Sequence, residues 1–166
     1  LELFQGGRLG TPDHSLLSVL DLTKTPMGAR MLRRWVGQPL LDLEIIHQRQ
    51  ESVAWFHQDL RLRGRIIRGL GQISDLERLV NRARGGTATP RDLVDLRRSL
   101  ATIPELLGPL QQSDGASHVA WLVRVLRLCQ ETSALVRQAI EDDPGLVVEG
   151  TVVRAGFSAE LDRLCL

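Results

Sequence analysis

Apolar residues recur every three or four positions through most of the chain, the spacing that lines one face of an α-helix. Residues 5–13 are rich in Gly and Pro and read as a loop, after which Ser15 opens a short helix over SLLSVLDL. Thr25-Pro26 is a helix start, with Thr as N-cap and Pro at the first position, where its missing N–H costs nothing. That helix sets Met27, Met31, Leu32, Trp35 and Val36 on one stripe and ends at Gly37 and Pro39. Asp42 caps the next, with Ile46, Val53 and Phe56 on one face, and a basic helix follows from Asp59 to Leu70, broken by Gly69 and Gly71. Ser74 with Glu77 forms a capping-box pattern ahead of Leu76, Leu79, Val80 and Ala83, and Gly85-Gly86 closes that helix.

Thr89-Pro90 with Asp92 repeats the start signal before the stripe Leu93, Leu96, Leu100 and Ile103. Pro104 interrupts it, and residues 105–110 add a further turn. Beyond a polar loop at 111–117, helices are predicted over about 118–130 and 132–142, the second capped by Thr132 or Ser133. Two Val pairs flank Glu149-Gly150 in LVVEGTVVRAG, which predicts a short β-hairpin near 146–154. Ser158, Leu161 and Leu164 begin a last helix. The fold class is therefore all-α, a multi-helix bundle with one short hairpin.

Composition agrees with that class. The chain has 166 residues, 43% hydrophobic and 25% charged, which suits one domain or two small lobes. Aromatics are 4% and Tyr is absent, while Leu and Arg are abundant, a balance that favours helices over a β-sandwich. No run of about 18 apolar residues predicts a membrane span, and no charged, apolar and small-residue sequence at the start predicts a secretory signal. The expected location by default is the cytoplasm. Cys129 and Cys165 have no close Cys or His partner and read as small buried hydrophobes or bystanders. The chain starts at Leu1 and stops within the amphipathic pattern of SAELDRLCL, which predicts an internal piece of a longer protein.

The net charge of +1 hides an asymmetry: residues 1–100 carry 16 basic and 11 acidic side chains, residues 101–166 carry 5 and 9. All but one of the 21 basic residues are Arg, the exception being Lys24. The densest stretch is Arg61, Arg63, Arg65 and Arg68, followed by Arg78, Arg82 and Arg84. Arg forks onto phosphates, so the first four are the candidate DNA-backbone residues, and a stand-alone helical module gripping DNA through them is the alternative reading. The preferred reading is a solvated surface whose arginines pair with Asp59, Asp75 and Glu77.

Catalytic signatures are missing: there is no phosphate loop, no H-E-x-x-H and no G-x-S-x-G. GLGQIS at 69–74 nearly matches a dinucleotide fingerprint but follows a helical pattern rather than a strand. Glu44 and His47 have the spacing used in di-metal bundles, yet no second Glu-x-x-His occurs. Glu141, Asp142 and Asp143 cluster where a helix end is expected, and read as a fraying, solvated terminus. Trp55-Phe56 beside the arginines could stack on bases, but Trp35, Phe56 and Trp121 fit core faces better, with Trp55 at a lobe boundary. No catalytic, cofactor-binding or metal-ligating residue is assigned.

The run SLLSVLDLTKTPMGARMLRRWVGQPLLDLEIIHQRQESV resembles the start of the core, or lever, domain of MutS-family DNA mismatch-repair proteins. The resemblance continues through DLERLVNRARGGTATPRDLVDLRRSL, ALVRQAIEDDPGLVVEGTVVRAGF and SAELDRL, and the opening LELF also fits; 111–132 matches only as helix. It implies that residues 1–157 are the first half of a helical core domain and 158–166 the start of an outgoing lever helix. In such proteins this body lies between mismatch-reading and connector domains, a DNA-gripping clamp and an ATPase. The implied role is a structural and allosteric relay. ATP and Mg²⁺, duplex DNA, a homodimeric assembly and a MutL-type partner are implied for the parent protein, with no cofactor in this stretch. The family's mismatch-reading Phe-x-Glu does not carry over, because Phe4, Phe56 and Phe157 are followed two residues on by Gly6, Gln58 and Ala159.

Overall fold

The helix starts are made by side chains that satisfy the first free N–H groups. In the computed structural model, which describes residues 2–6, 12–144 and 152–164, Ser15 Oγ accepts the Ser18 N–H and Thr25 Oγ1 accepts that of Gly28. They open α1 (Leu16–Leu20) and α2 (Pro26–Gly37). Asp42 caps α3 (Leu43–Gln58) and Asp59 caps α4 (Leu60–Leu70). The cap of α5 (Leu76–Arg84) is Asp75, one residue later than the predicted Ser74. The Ser74 N–H instead donates to the buried Ser99 Oγ at 3.0 Å, so a tertiary partner claims it.

Thr89 and Asp92 cap each other at the start of α6 (Pro90–Gln112), the longest helix among the described residues at about 35 Å. Pro104 was expected to interrupt this helix, and it does not; the helix also passes through Pro109. Each proline removes one backbone bond and crowds the carbonyl four residues back, a cost of about 3 kcal/mol. Continuity offsets that cost, because it carries Leu100 and Ile103 into one apolar cluster and Leu110 into another.

After α6 the expected helix 118–130 is replaced by a 3₁₀ turn (Ala116–Val119), a single turn α7 (Ala120–Val123) and then α8 (Gln130–Ala139). The residue preceding α8 is Cys129, with φ +46° and no side-chain cap bond, in place of the predicted Thr132 or Ser133. A continuous helix would set Val119 and Val136 about 25 Å apart on one axis. The break lets Val119 bury against Trp55 and Leu62, and Val136 against Val94 and Ile140. Of the two readings for the cysteines, Cys129 is exposed and so not a buried hydrophobe, which leaves it the bystander, and Cys165 lies outside the described residues.

α8 ends at Ala139 because Ile140 turns extended and bridges Val153 in antiparallel fashion. Glu141 N–H donates to the Val152 carbonyl at 3.0 Å, and Arg154 N–H to that of Ala139 at 2.9 Å. The centre of the predicted hairpin, Glu149-Gly150, lies outside the described residues. α9 (Ala159–Leu164) closes the described chain.

The bundle is organised on α6, against which α4, α5, the 3₁₀ turn, α7 and α8 all pack. Leu79, Leu96 and Leu100 make one core cluster, with Leu76 and Ile103 at its edge. Trp55 is the buried tryptophan, 9% exposed, while Trp35, expected in the core, is 40% exposed. The difference is tertiary: Gly115, at φ +77°, turns the chain so that the Asp114 carbonyl accepts the Trp55 indole N–H at 2.8 Å. Phe56 meets Trp55 edge-on, and Trp121 Nε1–H donates to Ser52 Oγ. On α3 the inward face is therefore Ser52 and Trp55, and Val53 points out at 69% exposure.

Candidate nucleic-acid interface

α4 is seated by its apolar side. Leu62 is buried beside Trp55 and Val119, and Ile66 packs against the same cluster. Near its end, a Cβ on Gly69 would lie 2.3 Å from Leu106 Cδ2, so glycine is what lets α4 lie close on α6. With 3.6 residues per turn, that seating turns Arg61, Arg65 and Arg68 outward on one stripe, and all three are exposed. Arg63 falls on the opposite flank and is half-buried, so the four candidates do not form one group. Arg65 and Arg68 line a cleft of about 230 Å³ between α4 and α6, whose far wall includes Thr102 and Glu105.

The acids expected to neutralise this stretch are engaged elsewhere. Asp59 accepts the Leu62 N–H at 2.9 Å as a helix cap. Asp75 and Glu77 both hold Arg30 of α2, Asp75 through two guanidinium nitrogens at 2.7 and 2.8 Å. The Arg30 guanidinium holds the Asp75 carboxyl down at about 2, with the Arg78 N–H adding to the effect against a desolvation that opposes it. Among the described residues, Arg61, Arg63, Arg65 and Arg68 make no ion pair.

Two further charge clusters stiffen the bundle, and sequence patterning read the Thr89–Asp92 cap but missed the ion pairs of both. Asp92 joins Thr89 to Arg82 of α5; its carboxyl is held below the usual range by the Thr89 hydroxyl, then by the Thr89 N–H. Asp142, read as part of a fraying helix end, lies between Arg97 of α6 at 2.6 Å and Arg154 at 2.9 Å. The partners are 45 and 12 residues away in the chain, so no local pattern could have paired them. On α2 and α3, the Arg49 guanidinium stacks 3.7 Å from the Trp35 ring centre, and Arg33 stacks over Phe4.

The remaining candidates do not assemble. Glu44 and His47 are both exposed on α3, and no three His, Cys, Asp or Glu side chains gather as a metal-ligand set among the described residues. Residues 69–74 join α4 to α5, helix to helix, without the strand that a dinucleotide fingerprint requires.

A family model described as MutS domain III matches residues 1–164. The chain belongs to that family. The DNA mismatch repair protein MutS of Dehalococcoides mccartyi is 38% identical over 169 residues, covering 99% of this chain and 19% of that protein. Those of Alkaliphilus oremlandii and Salinibacter ruber are 37% and 38% identical, each over 99% of this chain and 19% and 18% of theirs. This MutS domain III chain thus spans about a fifth of the length of the curated relatives it matches. No helix of its described residues is long and apolar enough to cross a membrane.

Proposed function

We propose that this chain is the structural and allosteric relay of a DNA mismatch-repair ATPase. Residues 1–157 are the first half of its helical core, and 158–166 begin the outgoing lever helix. The observation that carries this reading is the match to MutS domain III along residues 1–164, on a chain in which α4, α5, α7 and α8 pack on the long helix α6.

The intact protein, in this reading, binds mismatched duplex DNA and ATP with Mg²⁺ as a homodimer in the bacterial cytoplasm, and works with a MutL-type partner. The donor set here does not fit the nucleotide: the chain has no G-x-x-x-x-G-K-[ST] loop, and its described residues gather no metal-ligand cluster. In this reading ATP and Mg²⁺ are held by a part of the protein outside this chain. What these residues supply is stiffness. Arg97 with Asp142, Arg30 with Asp75, and the Gly69–Leu106 approach tie neighbouring elements to one another, so a displacement at one end of α6 moves the rest.

The test is the nucleotide-dependent change in affinity of the intact protein for a mismatched duplex, in wild type and Arg97→Gln. Allosteric coupling typically amounts to about 1–3 kcal/mol, a 5- to 150-fold change in affinity. The expected result is a reduced nucleotide effect in the variant, with ATP affinity in the absence of DNA unchanged. An undiminished nucleotide effect in a variant that melts earlier would leave the domain a passive scaffold.

A further inference from the structure

We infer that the outward face of α4 is a contact for the phosphate backbone of duplex DNA, formed by Arg61, Arg65 and Arg68 around Gly64. This rests on the reading of the intact protein as a binder of duplex DNA. At 3.6 residues per turn these four positions fall within an arc of about 100°, and the three arginines rise about 6 and 4.5 Å from one to the next. The three residues are exposed and make no ion pair among the described residues; Asp59 caps α4, and Asp75 and Glu77 hold Arg30. Glu105 is the acid that lines the adjoining cleft, and it is paired with none of them.

Gly64 adds an independent observation. A Cβ there would meet nothing closer than Arg68 Nη1, at 3.5 Å, which is ordinary contact. Packing therefore does not require glycine, unlike Gly69, where a Cβ would strike Leu106. What Gly64 provides is a shallow floor between the arginines, where a ligand backbone can come close to the helix. The platform beneath is fixed, since Leu62 is buried and Gly69 lies against Leu106.

The chemistry favours phosphate over an acidic protein. Arg presents a planar fork of donors that matches phosphate oxygens, and a strand of duplex offers them in an unbroken row. A protein interface centres on aromatic or other buried anchors, and α4 carries no aromatic side chain. Contacts of this kind position the duplex without reading its sequence. Arg63, on the opposite flank, takes no part.

The experiment is a titration of matched and mismatched duplexes with the intact protein from 50 to 200 mM salt. Wild type is compared with the triple variant Arg61→Gln/Arg65→Gln/Arg68→Gln, with Gly64→Leu and with Arg63→Gln. Each phosphate contact contributes about 0.9 to the slope of log affinity on log salt, so the triple variant is expected to lose about 2.7. Over this range that removes about 40-fold of the wild-type weakening, equally for both duplexes. Gly64→Leu keeps every charge and strengthens the helix, and is expected to lower affinity and slope together, whereas Arg63→Gln leaves both unchanged. A triple variant with the wild-type slope overturns the inference while leaving the functional reading intact. Unchanged DNA binding with loss of a MutL-type partner assigns the face to protein and overturns it too. A wild-type protein that binds no duplex overturns the functional reading and this inference together.

Discussion

Arg97 Nη2 lies 2.6 Å from the Asp142 carboxylate, joining the middle of α6 to the chain just past α8. The two ends of this pair sit in different surroundings. Arg97 is 8% exposed, and its Nη1 has no hydrogen-bond partner among the described residues; Asp142 faces solvent and is also held by Arg154. Removing Asp142 therefore strands a buried guanidinium, which is the costly way to break such a pair. Asp142→Asn is expected to lower the melting temperature at neutral pH more than Asp143→Asn, which breaks no such pair. Equal melts for the two variants would show that Arg97 draws nothing from the bridge.

Acid should loosen the same bundle through carboxylates held below their ordinary range. Asp75 titrates at about 2, chiefly because Arg30 hydrogen-bonds it, against about 3.9 in an unfolded chain. A depressed folded pKa contributes stability that is fully present above the unfolded value and is lost as pH falls through the folded one. The window is thus pH 4 down to about 2. Asp142 is also lowered, by Arg97 first and then Arg154, so it adds in the same direction. Arg30→Gln should flatten the fall in melting temperature across that window, and a profile as steep as wild type would rule out the Asp75 assignment.

Core truncations should separate the buried positions from the apparent ones. Leu79, at 2% exposure, anchors the α5–α6 cluster, and Leu79→Ala should cost about 2–5 kcal/mol in chemical denaturation. Trp35→Ala removes a half-exposed ring that Arg49 covers from one side, and should cost clearly less. If Trp35→Ala proved the more damaging of the two, the assigned core would be misplaced.

The two glycines of α4 offer an opposed pair. Gly64→Ala should gain about 0.5–1 kcal/mol from helix propensity, since its Cβ meets only ordinary contact. At Gly69 the same substitution drives a Cβ into Leu106, so the propensity gain is offset and Gly69→Val should destabilise by about 1–3 kcal/mol. Thermal melts of the two variants give the order directly: Gly64→Ala above wild type, Gly69→Val below it.

The Thr89–Asp92 box is a local device whose loss should be felt along α6. Thr89→Ala frees the Asp92 N–H and should cost about 0.5–2 kcal/mol. Amide exchange should quicken first in the opening turn of α6, near Pro90–Leu93. A uniform change along the helix would point to global loosening rather than a lost cap.

Sequence alone determined where α1, α2, α3 and α6 begin, because capping is settled within three or four residues. Ser15, Thr25, Asp42 and Thr89 each act as the cap their spacing implies. The all-α class was legible for the same reason, and the family resemblance lay in long ordered runs. Tertiary structure decided the rest. α6 continues through two prolines with apolar clusters packed on both sides of Pro104, and Trp55 rather than Trp35 is buried where Gly115 brings a carbonyl to its indole. Asp75 and Glu77 pair with Arg30, 45 and 47 residues away, while Arg61, Arg65 and Arg68 on α4 make no ion pair among the described residues. Each of these outcomes depends on atoms tens of residues apart in the chain, which periodicity, a property of neighbouring positions, does not encode.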